Sequence, residues 1–203
     1  YRRSMAAIEN GSFRGEIVAV EIPQSKGDAV IVDTDEEPGR GKPDKLGKLR
    51  PAFDKEGTIT AANASSINDG AAALTIISNE KAEQLSISPL CRIVAQGSAA
   101  HEPMYFTTAP SKAITKVLKK SGLSIEDIDL FEINEAFSNV TLAAMRAHCI
   151  PHDQVNINGG AVSLGHPIGA SGARILVTLI AALQKKQKKR GLATLCIGGG
   201  EAA

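Results

Sequence analysis

The sequence predicts an α/β fold with a mixed sheet, and three observations support this class. Short apolar runs typical of strands alternate with helical segments along the second half of the chain. Glycines and prolines separate these segments. A long Gly-rich stretch, residues 156–174, leads from a β-type run into a helix that is apolar on nearly every face. We expect such a helix to be covered on all sides in a whole protein, and a fragment that lacks part of that cover to expose apolar surface there.

The first quarter of the chain is predicted to be irregular after an initial helix. Residues 1–11 have a helical pattern that ends at Gly11, which suits a C-cap. A strand is predicted at 16–22 and is closed by Pro23. Residues 23–51 form a long polar loop, whose basic part suits either a phosphate-bearing ligand or a solvated surface.

The middle of the chain begins with small residues at 61–66, which permit close approach of another backbone or a thin ligand. After a turn at Asn68, a buried segment is predicted at 71–77, a short helix at 79–85 and a strand at 92–97.

The remaining elements alternate regularly. An amphipathic helix begins near Pro110 and is capped by Gly122. Further strands are predicted at 130–134, 154–158 and 192–197, and further helices at 136–148 and 175–183.

The composition bounds the class of protein. The chain has 203 residues, a formal net charge of +1 and 43% hydrophobic residues, as is usual for globular proteins. The near-neutral charge argues against nucleic acid or a membrane as the main partner. Three widely spaced cysteines favour reduced thiols in an intracellular protein. Both ends look cut, so we expect a fragment whose targeting segment cannot be assessed.

Three predicted strand ends carry polar groups that suit acyl chemistry. Asn134 follows one strand, His166 follows the next, and Cys196 closes the last. Sites in α/β sheets form at the carboxyl ends of strands. A thiol near an imidazole can act as base or nucleophile, and amide or glycine-turn N–H groups can donate to an oxyanion. The residues alone leave alternatives open: Asn134 can cap a helix, His166 can be structural, and Cys196 can be a core residue.

The segments around these residues resemble the three C-terminal signatures of the thiolase family. They are Asn134-Glu-Ala-Phe137, Asn158-Gly-Gly-Ala161 with Gly165-His-Pro-Ile-Gly-Ala-Ser-Gly-Ala-Arg174, and Cys196-Ile-Gly-Gly-Gly200. Residues 60–65 and 68–73 fit the same family. The resemblance extends over essentially the whole chain, and within the family it favours members that act on acetyl-CoA.

The resemblance implies a layered αβαβα fold with mixed sheets, built from two similar halves with a loop domain inserted in the first. Residues 1–66 would be the end of the loop domain, which binds CoA. Residues 67–88 would return to the N-terminal half. Residues 89–203 would be most of the C-terminal half, without its final strand.

The family's nucleophilic cysteine would lie upstream of Tyr1. None of the three cysteines of this chain matches its context, so the isolated fragment is expected to be inactive. Cys91 and Cys149 are expected to be packing residues, and Glu135 is expected to be structural.

The implied reaction condenses two acetyl-CoA molecules to acetoacetyl-CoA and CoA, or reverses this by thiolysis, through a cysteine acyl-enzyme. His166 would activate the nucleophile. Cys196 would remove a proton from the methyl group of the second acetyl-CoA, or return it. Asn134, through a water, and His166 would polarise the second thioester carbonyl. The Gly198 N–H would stabilise the acyl-enzyme oxyanion.

The resemblance also implies a site for CoA as substrate, and no redox cofactor. Ser65 matches the serine that contacts pantetheine. Arg40 and Lys45 align with residues at the nucleotide end of CoA, although the two residues after Arg40 depart from the family pattern. Phe53 and Phe106 would line the acyl and pantetheine channel, or else belong to the core.

The loop at 60–65 resembles the version found in a subgroup that binds K⁺ beside the CoA site. The residues that match the ligand positions are Tyr1, Ala61, Ala62, Ala64 and Val162, and Tyr1 would also border the CoA site. A weakly hydrated cation suits a ring of neutral carbonyls, although the alanines could merely pack.

The expected partners are acetyl-CoA or acetoacetyl-CoA and copies of the same chain in a homodimer or homotetramer. The expected location is cytoplasmic or mitochondrial. Two alternatives remain: a 3-ketoacyl-CoA thiolase for longer chains, and a non-catalytic thiolase-like lipid carrier, which would not need Asn134, His166 and Cys196 together.

Overall fold

The computed structural model describes residues 1–203. Its helices are α1 Arg2–Glu9, α2 Glu37–Arg40, α3 Asn79–Gln84, α4 Ala109–Ser121, α5 Ser138–His148, α6 Ala161–Leu164 and α7 Ser171–Lys186. Its strands are β1 Val20–Ile22, β2 Val30–Val32, β3 Ala99–Ala100, β4 Leu130–Ile133, β5 Gly191–Thr194, β6 Cys196–Ile197 and β7 Glu201–Ala202. Short 3₁₀ turns lie at Pro43–Lys48, Pro103–Thr108, Ile125–Asp127 and His152–Gln154. No helix is both long enough and apolar enough to cross a membrane.

The parallel pair β4–β5 is the centre of the fold. Ile133 lies opposite Thr194, so both strands end at the same edge. Successive side chains of a strand point to opposite faces. Phe131 accordingly joins Ile133 in the main core with α4 and α5, whereas Leu130 packs against Leu179 of α7. Helices therefore cover both faces, which is why all four residues of β4 are buried.

The main core is a single cluster on the α4–α5 face of this pair. Its buried members are Ile114, Ile128, Phe131, Ile133, Val140, Ala144, Ile150, Val155 and Leu192. Leu192 is the member from β5, and Val155 joins through a single parallel bridge to Phe131. The core thus holds together the segments that precede two of the three predicted polar strand ends.

The two remaining sheets are small. An antiparallel hairpin pairs Val20 of β1 with Val32 of β2, and its strand residues are exposed. A three-stranded antiparallel sheet has the order β3–β7–β6, with Cys196 opposite Ala202. With the parallel β4–β5 pair, these sheets confirm the predicted α/β class with mixed sheets.

Several predicted strands are shorter than expected or absent. The strand at 16–22 is reduced to β1, and the polar loop that follows it contains β2, α2 and a 3₁₀ turn. The strand predicted at 92–97 does not form, and the segment 71–77 is mostly exposed, so both predictions were wrong for this chain. A strand needs a neighbour for its backbone N–H and C=O groups, and no other part of this chain pairs with these segments.

The structure differs from the last two predicted strands because of local backbone geometry. At 154–158, a 3₁₀ turn and the left-handed backbone of Asn156, at φ 46°, leave only Val155 bridged to the sheet. The strand predicted at 192–197 divides into β5 and β6, which belong to different sheets. The chain therefore changes sheet just before Cys196.

Helix α7 is longer than predicted and is covered on one face. It begins at Ser171, and its buried face includes Ile175, Leu179 and Ala182. Leu176 is 39% exposed. An apolar side chain on this helix is therefore uncovered, which agrees with the expectation that the fragment exposes apolar surface here.

Candidate functional site

Asn134 follows β4 directly and lies inside the protein. Its main-chain N–H donates to the carbonyl of Thr194 at 3.0 Å, and its side chain is only 1% exposed. The amide Nδ2 donates to Nε2 of His166 at 3.4 Å, while Oδ1 is buried without a hydrogen-bond partner. Helix α5 begins after Phe137 and has no side-chain cap. The alternative that Asn134 caps this helix is therefore wrong.

His166 is held by contacts from two other segments. Its main-chain N–H donates to the carbonyl of Ser66 at 3.0 Å and to Oδ1 of Asn68 at 3.1 Å. Its ring Nδ1 lies 2.6 Å from Oγ of Ser171, at the start of α7. Burial, and secondarily the charge of Arg174, lower the pKa of His166 below its usual value. The imidazole is therefore neutral at neutral pH and can accept a proton.

Cys196 lies at the same edge of the fold as Asn134, two residues beyond the end of β5. It is half-buried and packs against the main core. Burial raises the pKa of its thiol, so the protonated form predominates at neutral pH. No hydrogen bond joins Cys196 to Asn134 or to His166. Gly198 follows in an exposed turn where an added Cβ would meet nothing within 4 Å, which leaves room above its backbone.

Glu135 connects the loops that carry these residues. Its Oε1 accepts from Nδ2 of Asn156 at 3.0 Å, and its Oε2 accepts from the main-chain N–H of Val162 at 3.2 Å. A Cβ at Gly160 would lie 2.4 Å from this carboxylate, so a larger residue there would force the carboxylate to shift. Glu135 thus has the structural role predicted for it.

The loop of small residues at 60–68 runs between the segments of Asn134 and His166. The N–H and Oγ of Ser65 donate to the carbonyl of Ala136 at 3.0 and 2.9 Å. Farther along this loop, Ile67 forms a parallel bridge with His166. The close backbone approach that small residues allow is therefore used to join the two candidate catalytic segments.

Three aromatic side chains lie next to this loop. The ring of Phe137 packs edge-on against both Phe53 and Phe106, with centroid distances of 6.1 Å in each case. Phe53 is 77% exposed, so the alternative that it belongs to the core is wrong. Phe106 is half-buried. The three rings form an apolar wall at the strand end, which is the surface a pantetheine or acyl chain requires.

The residues predicted to meet the nucleotide end of CoA are on the surface. Arg40 forms ion pairs of 2.6 Å with Glu36 and Glu37, which reduces the charge it can offer to a phosphate. Lys45 is exposed in a 3₁₀ turn and forms no ion pair. Tyr1 packs its ring against Gly41, where an added Cβ would be 2.2 Å from the ring.

The carbonyl oxygens predicted to hold K⁺ are partly free. Those of Ala61, Ala62 and Ala64 accept no hydrogen bond from backbone or side chain. Val162 lies in α6, and its main-chain N–H donates to Oε2 of Glu135 at 3.2 Å. No cluster of three or more His, Cys, Asp or Glu side chains could bind a metal ion.

Cys91 and Cys149 are both exposed, so the prediction that they are packing residues was wrong. Cys149 is the C-cap that follows His148, the last residue of α5, and its backbone is left-handed with φ 54°.

Sequence reasoning did not single out Glu132, Ser171 or Arg174. Ser171 is fully buried and contacts the His166 ring, and Arg174 lies one turn later on α7. Arg174 Nη1 is 3.5 Å from Oε2 of Glu132, which is 2% exposed on the α7 face of β4. The signal available in the sequence was the alternation of side chains along β4. It places the Glu132 carboxylate on the same face as Leu130.

The chain matches two family models in succession. The model described as "Thiolase, N-terminal domain" matches residues 1–80, and "Thiolase, C-terminal domain" matches residues 87–203. An acetyl-CoA acetyltransferase of Thiocystis violacea is 50% identical over 201 residues, which is 98% of this chain and 51% of that protein. The chain spans about half the length of the curated relatives it matches.

Solved structures agree with this likeness. The acetyl-CoA acetyltransferase of Bacillus anthracis superposes with a TM-score of 0.94 at 42% identity, over 99% of this chain and 51% of that one. The Acat5 thiolase of Ascaris suum, solved with coenzyme A, gives 0.89 at 43%, over 100% and 51%. A human mitochondrial 3-ketoacyl-CoA thiolase gives 0.90 at 35%, over 99% and 51%.

Proposed function

The chain belongs to the thiolase family, and from this premise we propose that it forms half of an acetyl-CoA C-acetyltransferase. This enzyme would condense two acetyl-CoA molecules to acetoacetyl-CoA and CoA, or catalyse the reverse thiolysis. The observation that carries the proposal is the hydrogen-bonded pair of Asn134 and His166, with the half-buried thiol of Cys196 at the same edge. Relatives named acetyl-CoA acetyltransferase at about 50% identity support the short-chain substrate.

The nucleophile of this reaction would come from the rest of a longer protein, because this chain spans about half the length of its relatives. Cys91 and Cys149 are exposed and lie outside the cluster of Asn134, His166 and Cys196. The exposed apolar side chains between residues 67 and 94 agree with a larger fold. They include Ile67, Ile76, Leu90, Ile93 and Val94. We propose that the rest of the protein covers this surface.

In the first half-reaction, the nucleophilic thiol gives its proton to Nε2 of His166 and attacks the acetyl-CoA carbonyl. The neutral state of His166 suits this role, because burial lowers its pKa. CoA leaves as a thiolate and takes the proton of Cys196, whose raised pKa keeps that thiol protonated until then. This step yields an acetyl-enzyme, free CoA and a Cys196 thiolate.

In the second half-reaction, that thiolate removes a methyl proton from the second acetyl-CoA. The carbanion attacks the acetyl-enzyme, a carbon–carbon bond forms, and the enzyme's thioester bond breaks. The released nucleophile then takes back its proton from His166. All protons return to their starting groups, so the cycle needs no external acid, base or oxidant.

The methyl group next to a thioester is a weak acid, so its carbonyl must be polarised before a thiolate can act on it. The protonated His166 can donate to that oxygen. Asn134 would act beside it through a water, the role that the resemblance implies. The Gly198 N–H would stabilise the oxyanion of the acetyl-enzyme. A donor of this kind contributes about 3 kcal/mol to the transition state.

We place CoA along the 60–68 loop and the aromatic wall. Ser65 is close to the strand end that carries Asn134, and Phe53 and Phe106 flank Phe137 beside it. Lys45 is the better candidate for a phosphate contact, since Arg40 is already paired with two glutamates. The Ascaris suum thiolase in complex with coenzyme A supports CoA as the substrate.

We also propose that K⁺ binds at the alanine loop. The free carbonyl oxygens of Ala61, Ala62 and Ala64 suit a large monovalent cation, which can exchange its water for neutral oxygens. Val162 and Tyr1 would complete the ligand set. The ion would order the loop that carries Ser65.

The decisive assay compares acetoacetyl-CoA with a longer 3-ketoacyl-CoA as thiolysis substrates of the full-length protein. We expect a higher kcat/KM for acetoacetyl-CoA. A clear preference for the longer chain would assign the protein to 3-ketoacyl-CoA thiolysis instead. Acyl-CoA binding without turnover of either substrate would favour the lipid carrier and contradict the proposal.

A further inference from the structure

We infer that Ser171 is a positioning residue that sets the tautomer of His166, an inference that rests on the proposed function for its catalytic meaning. Ser171 is fully buried at the first position of α7. Its Oγ is 2.6 Å from Nδ1 of His166 and donates to the carbonyl of Pro167 at 3.0 Å. No role for this hydroxyl follows from the mechanism above.

The direction of the two hydrogen bonds follows from a proton count. A hydroxyl has one proton to donate and lone pairs that accept. A carbonyl oxygen can only accept, and serine at this place in a helix commonly donates to the carbonyl four residues earlier. The Pro167 carbonyl already accepts from the main-chain N–H groups of Ala170 and Ser171 at 2.8 Å, so the Asn134 amide decides: it can only donate toward Nε2, which leaves the Ser171 proton for Pro167. Its Oγ must then accept, so the ring proton of neutral His166 lies on Nδ1.

This assignment leaves Nε2 of His166 as a bare lone pair. The contact with Asn134 agrees, because the Nδ2 group of an amide can only donate and it faces Nε2 at 3.4 Å. The opposite tautomer would need the Ser171 hydroxyl to turn toward Nδ1 and the Asn134 amide to flip. The Asn134 amide thus favours this proton position, and the Ser171 hydroxyl is placed to accept from Nδ1.

This tautomer suits both proposed roles of the His166 ring, as the base for the nucleophile and as a donor to the thioester oxygen. With the proton on Nδ1, the Nε2 lone pair can take the proton of the nucleophile once its long contact of 3.4 Å with the Asn134 amide opens. Once Nε2 is protonated, the imidazolium still donates from Nδ1 to Ser171, and its Nε2–H can donate to a thioester oxygen. The hydroxyl therefore stabilises the protonated ring without competing for Nε2.

The first test reads the tautomer directly and needs no turnover. The full-length protein is labelled with ¹⁵N-histidine, and a His166→Gln variant assigns the ring signals. We expect a protonated Nδ1 and an unprotonated Nε2 in the neutral ring, and a mixed tautomer in Ser171→Ala. A proton on Nε2 in the unmodified protein, or an unchanged tautomer in Ser171→Ala, would overturn the inference.

The second test is kinetic. Ser171→Ala should lower the rate of enzyme acetylation about tenfold, as expected for the loss of one hydrogen bond to a charged ring, with KM for acetyl-CoA unchanged. The acid limb of its pH profile should move to lower pH, because the imidazolium loses an acceptor. Ser171→Thr keeps a hydroxyl and should restore both. Ser111→Ala, the same change in the first turn of α4, should alter neither.

The two tests separate this inference from the proposed function. A protein without thiolase activity but with the Nδ1 proton would contradict the function and leave the tautomer assignment intact. An active thiolase whose acetylation rate and acid limb are the same in Ser171→Ala would overturn the positioning role alone.

Discussion

Nη1 of Arg174 lies 3.5 Å from Oε2 of Glu132. This contact joins β4, the strand that ends before Asn134, to α7, the helix that follows His166. The carboxylate lies on the buried α7 face of β4, where its neighbours are mainly apolar. Burial raises the pKa of Glu132 to about 8, against the opposing effect of Arg174. The desolvation cost thus exceeds the attraction of one guanidinium at a long ion-pair distance.

The raised pKa of Glu132 determines whether the free energy of unfolding rises or falls with pH. The folded state binds the Glu132 proton more tightly than the unfolded state, whose glutamates titrate near 4.5. The favourable contribution is therefore complete below that value and is lost as the pH rises toward 8. We expect the free energy of unfolding to fall over this window by up to about 1.4 kcal/mol per pH unit.

Glu132→Gln removes the titrating group and should flatten this decline. Urea unfolding of the full-length protein at several pH values between 5 and 8 would measure it. Glu126→Gln makes the same substitution at an exposed position, and it should leave the pH dependence of the free energy of unfolding unchanged. Parallel curves for the unmodified protein and Glu132→Gln would show that Glu132 does not titrate as the structure implies.

His166 gives a second pH prediction, with the opposite direction of shift. Burial and the charge of Arg174 lower its pKa below 6.5, so more than half of the imidazole is neutral at pH 6.5. We expect the acid limb of kcat/KM for acetyl-CoA to lie below that pH. A limb centred well above 6.5 would mean that the ring is stabilised in its charged form in the free enzyme.

Gly160 is predicted to be required by a specific close approach. Its φ of −134° is open to any residue, so backbone strain is not the reason. A Cβ would instead lie 2.4 Å from the carboxylate of Glu135, which is held by Asn156 and Val162. Gly160→Ala should cost about 1–3 kcal/mol in the free energy of unfolding.

A matched control is available on the same stretch of chain. Gly169 has nothing within 4 Å of an added Cβ, and Gly169→Ala should change stability by less than about 0.5 kcal/mol. Equal unfolding midpoints for the two alanine variants would indicate that the Glu135 carboxylate moves aside at little cost.

The sequence predicted the strand-end cluster better than it predicted the strands. Asn134 and His166 were placed together because each follows a segment with its own local signals, and the parallel edge brings such positions together. The strand at 92–97 and the buried segment at 71–77 failed because periodicity reports only the tendency to be buried, not whether a neighbour is present in the chain. Apolar patterns are therefore less informative here than polar motifs.

The buried partners of the site were beyond sequence reasoning for a different reason. Ser171 was visible inside the Gly-rich motif, but its contact with His166 depends on a turn of four residues whose backbone path no local pattern specifies. The Glu132–Arg174 contact spans 42 positions and depends on which face of β4 meets α7. Such long-range pairs follow from packing rather than from propensity.

Cys196→Ser tests the proposal that Cys196 acts mainly in the second of the two proposed half-reactions. A hydroxyl is a far weaker acid than a thiol, so serine cannot form the base that removes the methyl proton. Condensation should fall by about 10²-fold or more, and acetylation of the nucleophile by less. Acetylation is measured by burst labelling with radiolabelled acetyl-CoA. Cys149→Ser, at an exposed thiol, should behave as the unmodified protein.

His166→Ala serves as the contrasting variant, because that residue is proposed to act in both half-reactions. It should abolish the labelling burst as well as condensation. If Cys196→Ser reduced the labelling burst as severely as His166→Ala does, the assignment of Cys196 as the base of the second half-reaction would fail.

The alanine loop gives the last prediction, which concerns a monovalent cation. Ser65 is joined to the strand end through Ala136, whereas the neighbouring carbonyl oxygens of Ala61, Ala62 and Ala64 have no hydrogen-bond donor. A cation held by these oxygens would order the loop before CoA binds. CoA binding would then cost less conformational entropy, because the loop is already ordered. For one or two side chains, this difference corresponds to about a threefold to tenfold lower KM.

Acetoacetyl-CoA kinetics of the full-length protein in potassium, sodium and choline chloride at equal ionic strength would measure this effect. We expect the lowest KM in potassium, because a larger and more weakly hydrated ion exchanges its water for carbonyl oxygens more readily than sodium does. Choline controls for ionic strength, since it is too large and lacks the charge density for such a ring. Identical KM values in all three salts would exclude a functional potassium site at this loop, whereas a sodium optimum would assign the same carbonyls to a smaller ion.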